Sequence, residues 1–248
     1  MIGIQTRTSR TRASQRTVTP ATAPVRAVRG RAESHDARLR RDPLTALDPL
    51  ASAGARVSFK RGEEIVAEGD AAEYCYKVVS GSVRLVKLVA DGRRQVCEFL
   101  VAGDFIGLTA EADHYFTAEA TADSVLMRYP RRQVESVIAS TPALARHVHK
   151  LTTTGLQRAY ERMVLICHMS AQERIAWFLL EMGKRSADSD TFMLPMTRAD
   201  IADYLGLVIE TVSRVLTQFK TAGTIQVRNI NRVTLLDRDA LEAATGEG

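Results

Sequence analysis

The feature that most constrains the fold of this 248-residue chain is a change of period at Pro130. From about Val57 to Pro130, apolar and β-branched residues come in short runs divided by glycine-containing turns; beyond it they recur every third or fourth position. Strands carry a period of two and helices one of about 3.6, so a β-rich half precedes a helical half and the chain is predicted to be α+β. Extended runs are predicted at 56–60, 64–67, 74–80, 82–89, 94–100 and 124–129. The turns are Lys60-Arg61-Gly62-Glu63, Glu68-Gly69-Asp70, Ser80-Gly81-Ser82, Asp91-Gly92 and Val101-Ala102-Gly103-Asp104. Asp-Gly between extended runs is a strong hairpin signal, because glycine takes positive φ at no steric cost. Together the runs predict a β-roll.

After Pro130 a short helix is expected over 131–139 and a long one over 142–169, opened by Pro142 in its first turn. On the long helix Leu144, Val148, Leu151, Gly155, Ala159, Met163 and Ile166 recur at spacings of three and four. Such a stripe suits packing against a symmetry mate, with Gly155 letting two backbones approach, and it equally suits packing on the chain's own β-domain. Ser170-Ala171-Gln172-Glu173 reads as a capping box opening another helix that buries Ile175, Phe178, Leu179 and Met182.

The most informative segment runs from Thr197 to Leu216. Thr197 is placed to cap a helix with inner positions Ile201, Ala202 and Leu205, which Gly206 ends in the left-handed conformation. A second helix follows within a few residues, the spacing of a helix-turn-helix. Its Val212, Val215, Leu216 and Phe219 fall at i, i+3, i+4 and i+7 and face inward. Glu210, Ser213 and Arg214 share an outer face near its N-terminal end. Arginine donates two hydrogen bonds to guanine, glutamate accepts from cytosine, and serine reaches a base edge or phosphate. The plainer alternative is a solvated face with a Glu210–Arg214 pair. Thr197, Arg198, Glu210, Thr211, Ser213 and Arg214 are the candidate DNA-binding residues, and runs at 224–227 and 232–236 around Arg228-Asn229-Ile230-Asn231 predict a β-hairpin wing.

Net charge adds less than it first suggests. The formal +5 sits in the first 42 residues, where ten arginines and no lysine face Glu33, Asp36 and Asp42 for a net of +7, leaving −2 on residues 43–248. That segment has too few large apolar residues to offset its ordering entropy and is expected to be a disordered basic tail, whose arginines would add phosphate attraction without sequence preference. No run nears the ~18 apolar residues of a membrane span and no signal-peptide core opens the chain, so a cytoplasmic protein is expected. Cys75, Cys97 and Cys167 form no ligand pattern, so neither a disulfide framework nor a metal site is expected. No catalytic motif appears, and the chain does not read as an enzyme.

Gly103-Asp104-Phe105-Ile106-Gly107, Glu173-Arg174-Ile175-Ala176, and Met196 to Leu207 joined to Glu210-Thr211-Val212-Ser213-Arg214 resemble the Crp/Fnr family of bacterial regulators. The resemblance spans about Leu47 to Thr245. It implies a cyclic-nucleotide-binding-like β-roll (43–140), a dimerisation helix (141–169) and a C-terminal winged helix-turn-helix (170–248), acting as a homodimer on double-stranded DNA. The Glu-x-x-Ser-Arg form resembles the Fnr and FixK branch, which implies a TTG-N8-CAA-like palindrome and control of nitrogen-fixation and microaerobic genes. Cyclic-AMP binders carry an arginine pair with serine or threonine after the Gly-Glu motif, whereas 109–122 has no arginine. Oxygen sensors of the branch hold an iron–sulfur cluster on cysteines; here none precedes Cys75 and the β-roll position is Met127, so no cofactor is expected. The alternative is a ligand-gated sensor of the same family, taking a cyclic nucleotide or a haem on one of His114, His147, His149 or His168. Cys167 reads either as a redox site or as a small buried residue. The resemblance also implies a contact with RNA polymerase at Asp91-Gly92-Arg93-Arg94, which otherwise reads as a solvated turn.

Overall fold

A computed structural model describes residues 54–89, 92–229 and 231–245; the arginine-rich first 42 residues, Asp91 and Ile230 lie outside them. Eight strands come first: β1 (Ala55–Phe59), β2 (Glu64–Val66), β3 (Tyr74–Ser80), β4 (Val83–Leu88), β5 (Arg94–Leu100), β6 (Phe105–Ile106), β7 (Thr117–Ala120) and β8 (Ser124–Pro130). They form two antiparallel four-stranded sheets, ordered β1-β8-β3-β6 and β2-β7-β4-β5. Val78, Val83, Leu100, Ile106, Ala118 and Leu126 fill the space between them. This is the expected β-roll, with two strands the sequence did not predict. β6 is two residues long, too short for a period to show. β7 reads Thr-Ala-Glu-Ala, with little strand propensity of its own; it lies between β2 and β4, and Ala118 and Ala120 are buried.

Helices follow as expected: α1 (Arg131–Ser140), α2 (Pro142–His168) and α3 (Ala171–Lys184). Pro142 occupies the first turn of α2, where its missing N–H costs nothing. Ser170 caps α3 in a reciprocal box with Glu173. Beyond α3 come β9 (Thr191–Met193), α4 (Arg198–Leu205), α5 (Ile209–Thr221), β10 (Ile225–Arg228), β11 (Arg232–Leu235) and α6 (Arg238–Ala243), with a sheet ordered β10-β11-β9.

A bulge in β5 joins the two halves. Glu98 pairs with Leu85 and Val96 with Val86, so Cys97 is the extra residue. Its carbonyl accepts from Arg162 of α2, whose guanidinium also lies 4.7 Å from the Tyr204 ring centroid. The bulge breaks the alternation of β5, so that Val96 and Phe99 enter the core of the C-terminal half. The Phe99 ring stands 5.0 Å from that of Tyr204 and 6.2 Å from that of Phe178. Burying Phe99 there contributes about 1.5–3 kcal/mol. Polar contacts follow the same seam. Arg185, at the end of α3, reaches Asp104 at 2.6 Å and Glu98 at 3.4 Å. Arg84 and Arg94 meet Asp200 of α4 at 2.7 and 2.8 Å. Two of the family-like motifs therefore act here: Asp104 receives Arg185, and Arg174 donates to the carbonyls of Ile166, Met169 and Leu205, tying the end of α2 to the end of α4.

Candidate nucleic-acid interface

The local sequence builds α4 and α5 closely. Thr197 caps α4: its hydroxyl accepts from the Asp200 N–H at 3.1 Å and the Asp200 carboxylate accepts from the Thr197 N–H at 2.9 Å. Burial opposes ionisation of Asp200, but the Thr197 N–H and hydroxyl, Arg84 and Arg94 outweigh it and hold the carboxyl below its ordinary value. Gly206 ends α4 at φ +64°, and α5 starts at Ile209. Between them these residues make the tight connection of a helix-turn-helix.

α5 buries Val212, Val215, Leu216 and Phe219, the four positions expected to face inward. Glu210, Ser213 and Arg214 are exposed and Thr211 is half-buried. Among the described residues neither the Glu210 carboxylate nor the Arg214 guanidinium has a hydrogen-bond or ion-pair partner, so the plain Glu210–Arg214 pair is not formed. No side chain caps α5 at Val208; the Thr211 N–H donates to the Val208 carbonyl, and the N–H groups of Ile209 and Glu210 are left for an outside acceptor. Val208 and Ile209 are exposed apolar side chains at the same end, a pair sequence reasoning passed over because an apolar residue at a helix start ordinarily signals core.

The wing carries a second missed feature. β10 and β11 pair so that Arg228 stands directly opposite Arg232. Like charges opposed across strands are destabilising on their own, and both side chains are exposed. An anion between them removes the penalty. The signal lay in the turn Arg228-Asn229-Ile230-Asn231-Arg232, had the register been worked through.

Several expected residues are placed otherwise. Of the stripe on α2, Leu144 is buried with Cys75, Tyr129 and Val134, Val148 packs against that cluster, and Ile166 packs on the C-terminal core. These three serve the chain's own cores. Leu151 and Gly155 are half-buried, and Ala159 and Met163 are exposed together with Leu156, Tyr160 and Val164, which the sequence reading had not named. Thr197 is exposed, with its hydroxyl held in the capping box, and Arg198 is half-buried. In the β4–β5 hairpin Arg94 is turned onto Asp200 and Asp203, Gly92 and Arg93 are exposed, and Asp91 is outside the described residues. Cys167 is exposed, which corrects its reading as a small buried residue, whereas Cys75 is buried. His149 and His168 are exposed on α2, and His147 is half-buried. His114 is buried beside Gly107, where burial pushes its imidazole below the ordinary value. It lines a cleft of about 260 Å³ with Phe105, Leu108, Tyr115 and Phe116, and no guanidinium is among the lining residues. Among the described residues no helix is long and apolar enough to cross a membrane.

A β-roll, a long helix and a winged helix-turn-helix with a bare polar face on its second helix define a DNA-binding regulator of transcription. Residues 173–244 match the Crp-like helix-turn-helix domain and residues 56–141 the cyclic nucleotide-binding domain. The chain belongs to the Crp/Fnr family. It is 38% identical over 199 residues to the nitrogen fixation regulation protein FixK of Rhizobium meliloti (strain 1021), covering 79% of this chain and 91% of that one. It is 41% identical over 197 residues to the FixK protein of Azorhizobium caulinodans, covering 77% and 79%. The structure of FixK2 from Bradyrhizobium japonicum superposes with a TM-score of 0.73 at 39% identity, over 77% of this chain and 96% of that one.

Proposed function

We propose that this protein is a homodimeric, sequence-specific regulator of nitrogen-fixation and microaerobic genes that binds a TTG-N8-CAA-like palindrome. The observation that carries the reading is the exposed, unpartnered set Glu210, Ser213 and Arg214 on a helix whose opposite face is fully buried. Arg214 supplies a bidentate contact to guanine and Glu210 an acceptor for cytosine N4. Val208 and Ile209 suit the methyl groups of thymines in the TTG element. The uncapped start of α5, Arg198, and the opposed Arg228 and Arg232 suit backbone phosphates, which set register but carry no sequence information.

Two recognition helices are needed for a palindrome. The exposed Leu156, Tyr160, Met163 and Val164 on α2, beside the half-buried Gly155, form an apolar face suited to a second copy of the helix. The relatives named for nitrogen fixation support the choice of target genes. RNA polymerase is the proposed second partner, met at the β4–β5 hairpin around the exposed Gly92 and Arg93. The absence of a guanidinium from the cleft beside Gly107 supports action without a cyclic nucleotide.

Competition binding with operator variants tests the readout. Replacing Arg214 with Ala is expected to cost about 1–3 kcal/mol per half-site and to relax the preference at one base pair, while Glu210→Ala changes which base is tolerated opposite it. Unchanged base preference in the Arg214 variant removes that residue from the readout.

A further inference from the structure

Where the β-roll meets the helix-turn-helix, a cleft of about 210 Å³ opens between Arg61 in the β1–β2 turn, Thr197 and Arg198 at the start of α4, and Asn231 in the wing, over a floor that includes Met196 and Val233. Two guanidiniums line it and no carboxylate does. Acids on the same turns and helix are engaged elsewhere. Asp123 accepts from Lys60 Nζ at 2.7 Å and from the Arg61 backbone N–H at 3.1 Å, and Glu63 accepts from the Lys60 N–H. Asp200 is held by Arg84 and Arg94. Among the described residues the guanidiniums of Arg61 and Arg198 have no ion-pair or hydrogen-bond partner. Burial pushes Arg198 below its ordinary value, as it does for a cation desolvated with no anion beside it.

Leaving such a cation half-desolvated is unfavourable unless an anion arrives from outside. A phosphodiester fits: arginine forks match phosphate oxygens, and Asn231 adds an amide donor. We propose that Arg61 is a DNA-backbone contact, and that the first turn of the β-roll grips an operator phosphate together with Arg198. DNA then lies against both halves of the chain and clamps the helix-turn-helix to the β-roll that carries it. The inference rests on the DNA-binding reading of α5 and extends it to the N-terminal half.

The test is the salt dependence of binding by the full chain and by its Arg61→Ala variant, on a palindromic operator and on an unrelated duplex. Arg61 is exposed and its backbone bond to Asp123 survives the substitution, so an unchanged thermal melt is expected. Loss of one phosphate contact per subunit lowers the slope of log K against log salt by about 0.9 per subunit, about 1.8 for the dimer, so the deficit shrinks about 12-fold between about 50 and about 200 mM salt. The factor should be alike on both duplexes, and Arg61→Lys should restore most of the slope. Parallel salt dependences for Arg61→Ala and the parent overturn the proposal, as does a change in base preference. Failure of the parent chain to bind any duplex sinks the DNA-binding reading instead.

Discussion

Asp200 is where the helix-turn-helix is held to the β-roll, and its removal has a size that follows from its contacts. The side chain is 1% exposed and accepts from Arg84 at 2.7 Å, Arg94 at 2.8 Å, and the Thr197 N–H and hydroxyl at 2.9 and 2.8 Å. Stripping one partner from a buried charge pair costs about 3–5 kcal/mol when the other is left alone. Here Arg84 keeps Glu119 at 2.6 Å and Arg94 keeps Asp203 at 2.9 Å, which places the loss at the low end of that range. Weakening of the α4 cap adds about 1 kcal/mol. Asp200→Ala is therefore expected to destabilise the chain by about 4 kcal/mol, and Asp200→Asn, which keeps an acceptor for the Thr197 N–H, by about 3 kcal/mol. Urea unfolding measures both. The folded-state carboxyl is held below its ordinary value, so the advantage of the parent chain over Asp200→Asn is complete above the unfolded carboxyl pKa of about 3.9 and disappears as pH falls through the folded one. A loss below about 1 kcal/mol at neutral pH, or an advantage that grows on acidification, would refute the account of this seam.

Gly206→Ala should cost about 1–2 kcal/mol through the left-handed backbone alone, because the added Cβ meets Ile166 at an ordinary 3.6 Å; Gly206→Asn should lose less, read in the same urea titration. Met163→Asp, placed on the exposed face of α2, should shift the protein toward monomer in sedimentation and leave its thermal midpoint nearly unchanged, because that side chain is 57% exposed within the subunit.

The elements with a long, unbroken period were legible before any coordinates. The box at Ser170, the cap at Thr197, the left-handed Gly206 and the four inward positions of α5 all follow from local chemistry that a sequence displays. What escaped was set by partners far apart in the chain. Arg84 and Arg94 reach Asp200 across more than a hundred positions, and nothing near Asp200 announces them. The bulge at Cys97 shifts the alternation of β5, so Val96 and Phe99 point to the other core. β7 is a strand because of the slot it fills, not because of its composition. On α2 one continuous apolar stripe is divided in use, its two ends packing within the subunit while Ala159 and Met163 are left exposed, and spacing alone does not divide it. The cationic cleft is likewise invisible locally, since Arg61 and Arg198 come together only when the two halves meet.

The central claim is that the outer face of α5 reads a two-fold DNA site with no ligand in the β-roll. Quantitative binding of the purified full chain, with no metal or nucleotide added, to a TTG-N8-CAA palindrome and to the same duplex with one half-site scrambled tests it most directly. Tight binding to the intact palindrome under air is expected, with a large loss when either half-site is removed, because each subunit offers one recognition helix to a major groove about one helical turn, or about 10 base pairs, from the other. Equal affinity for intact and scrambled duplexes, or binding that appears only after a cyclic nucleotide or an iron–sulfur cluster is supplied, would contradict it.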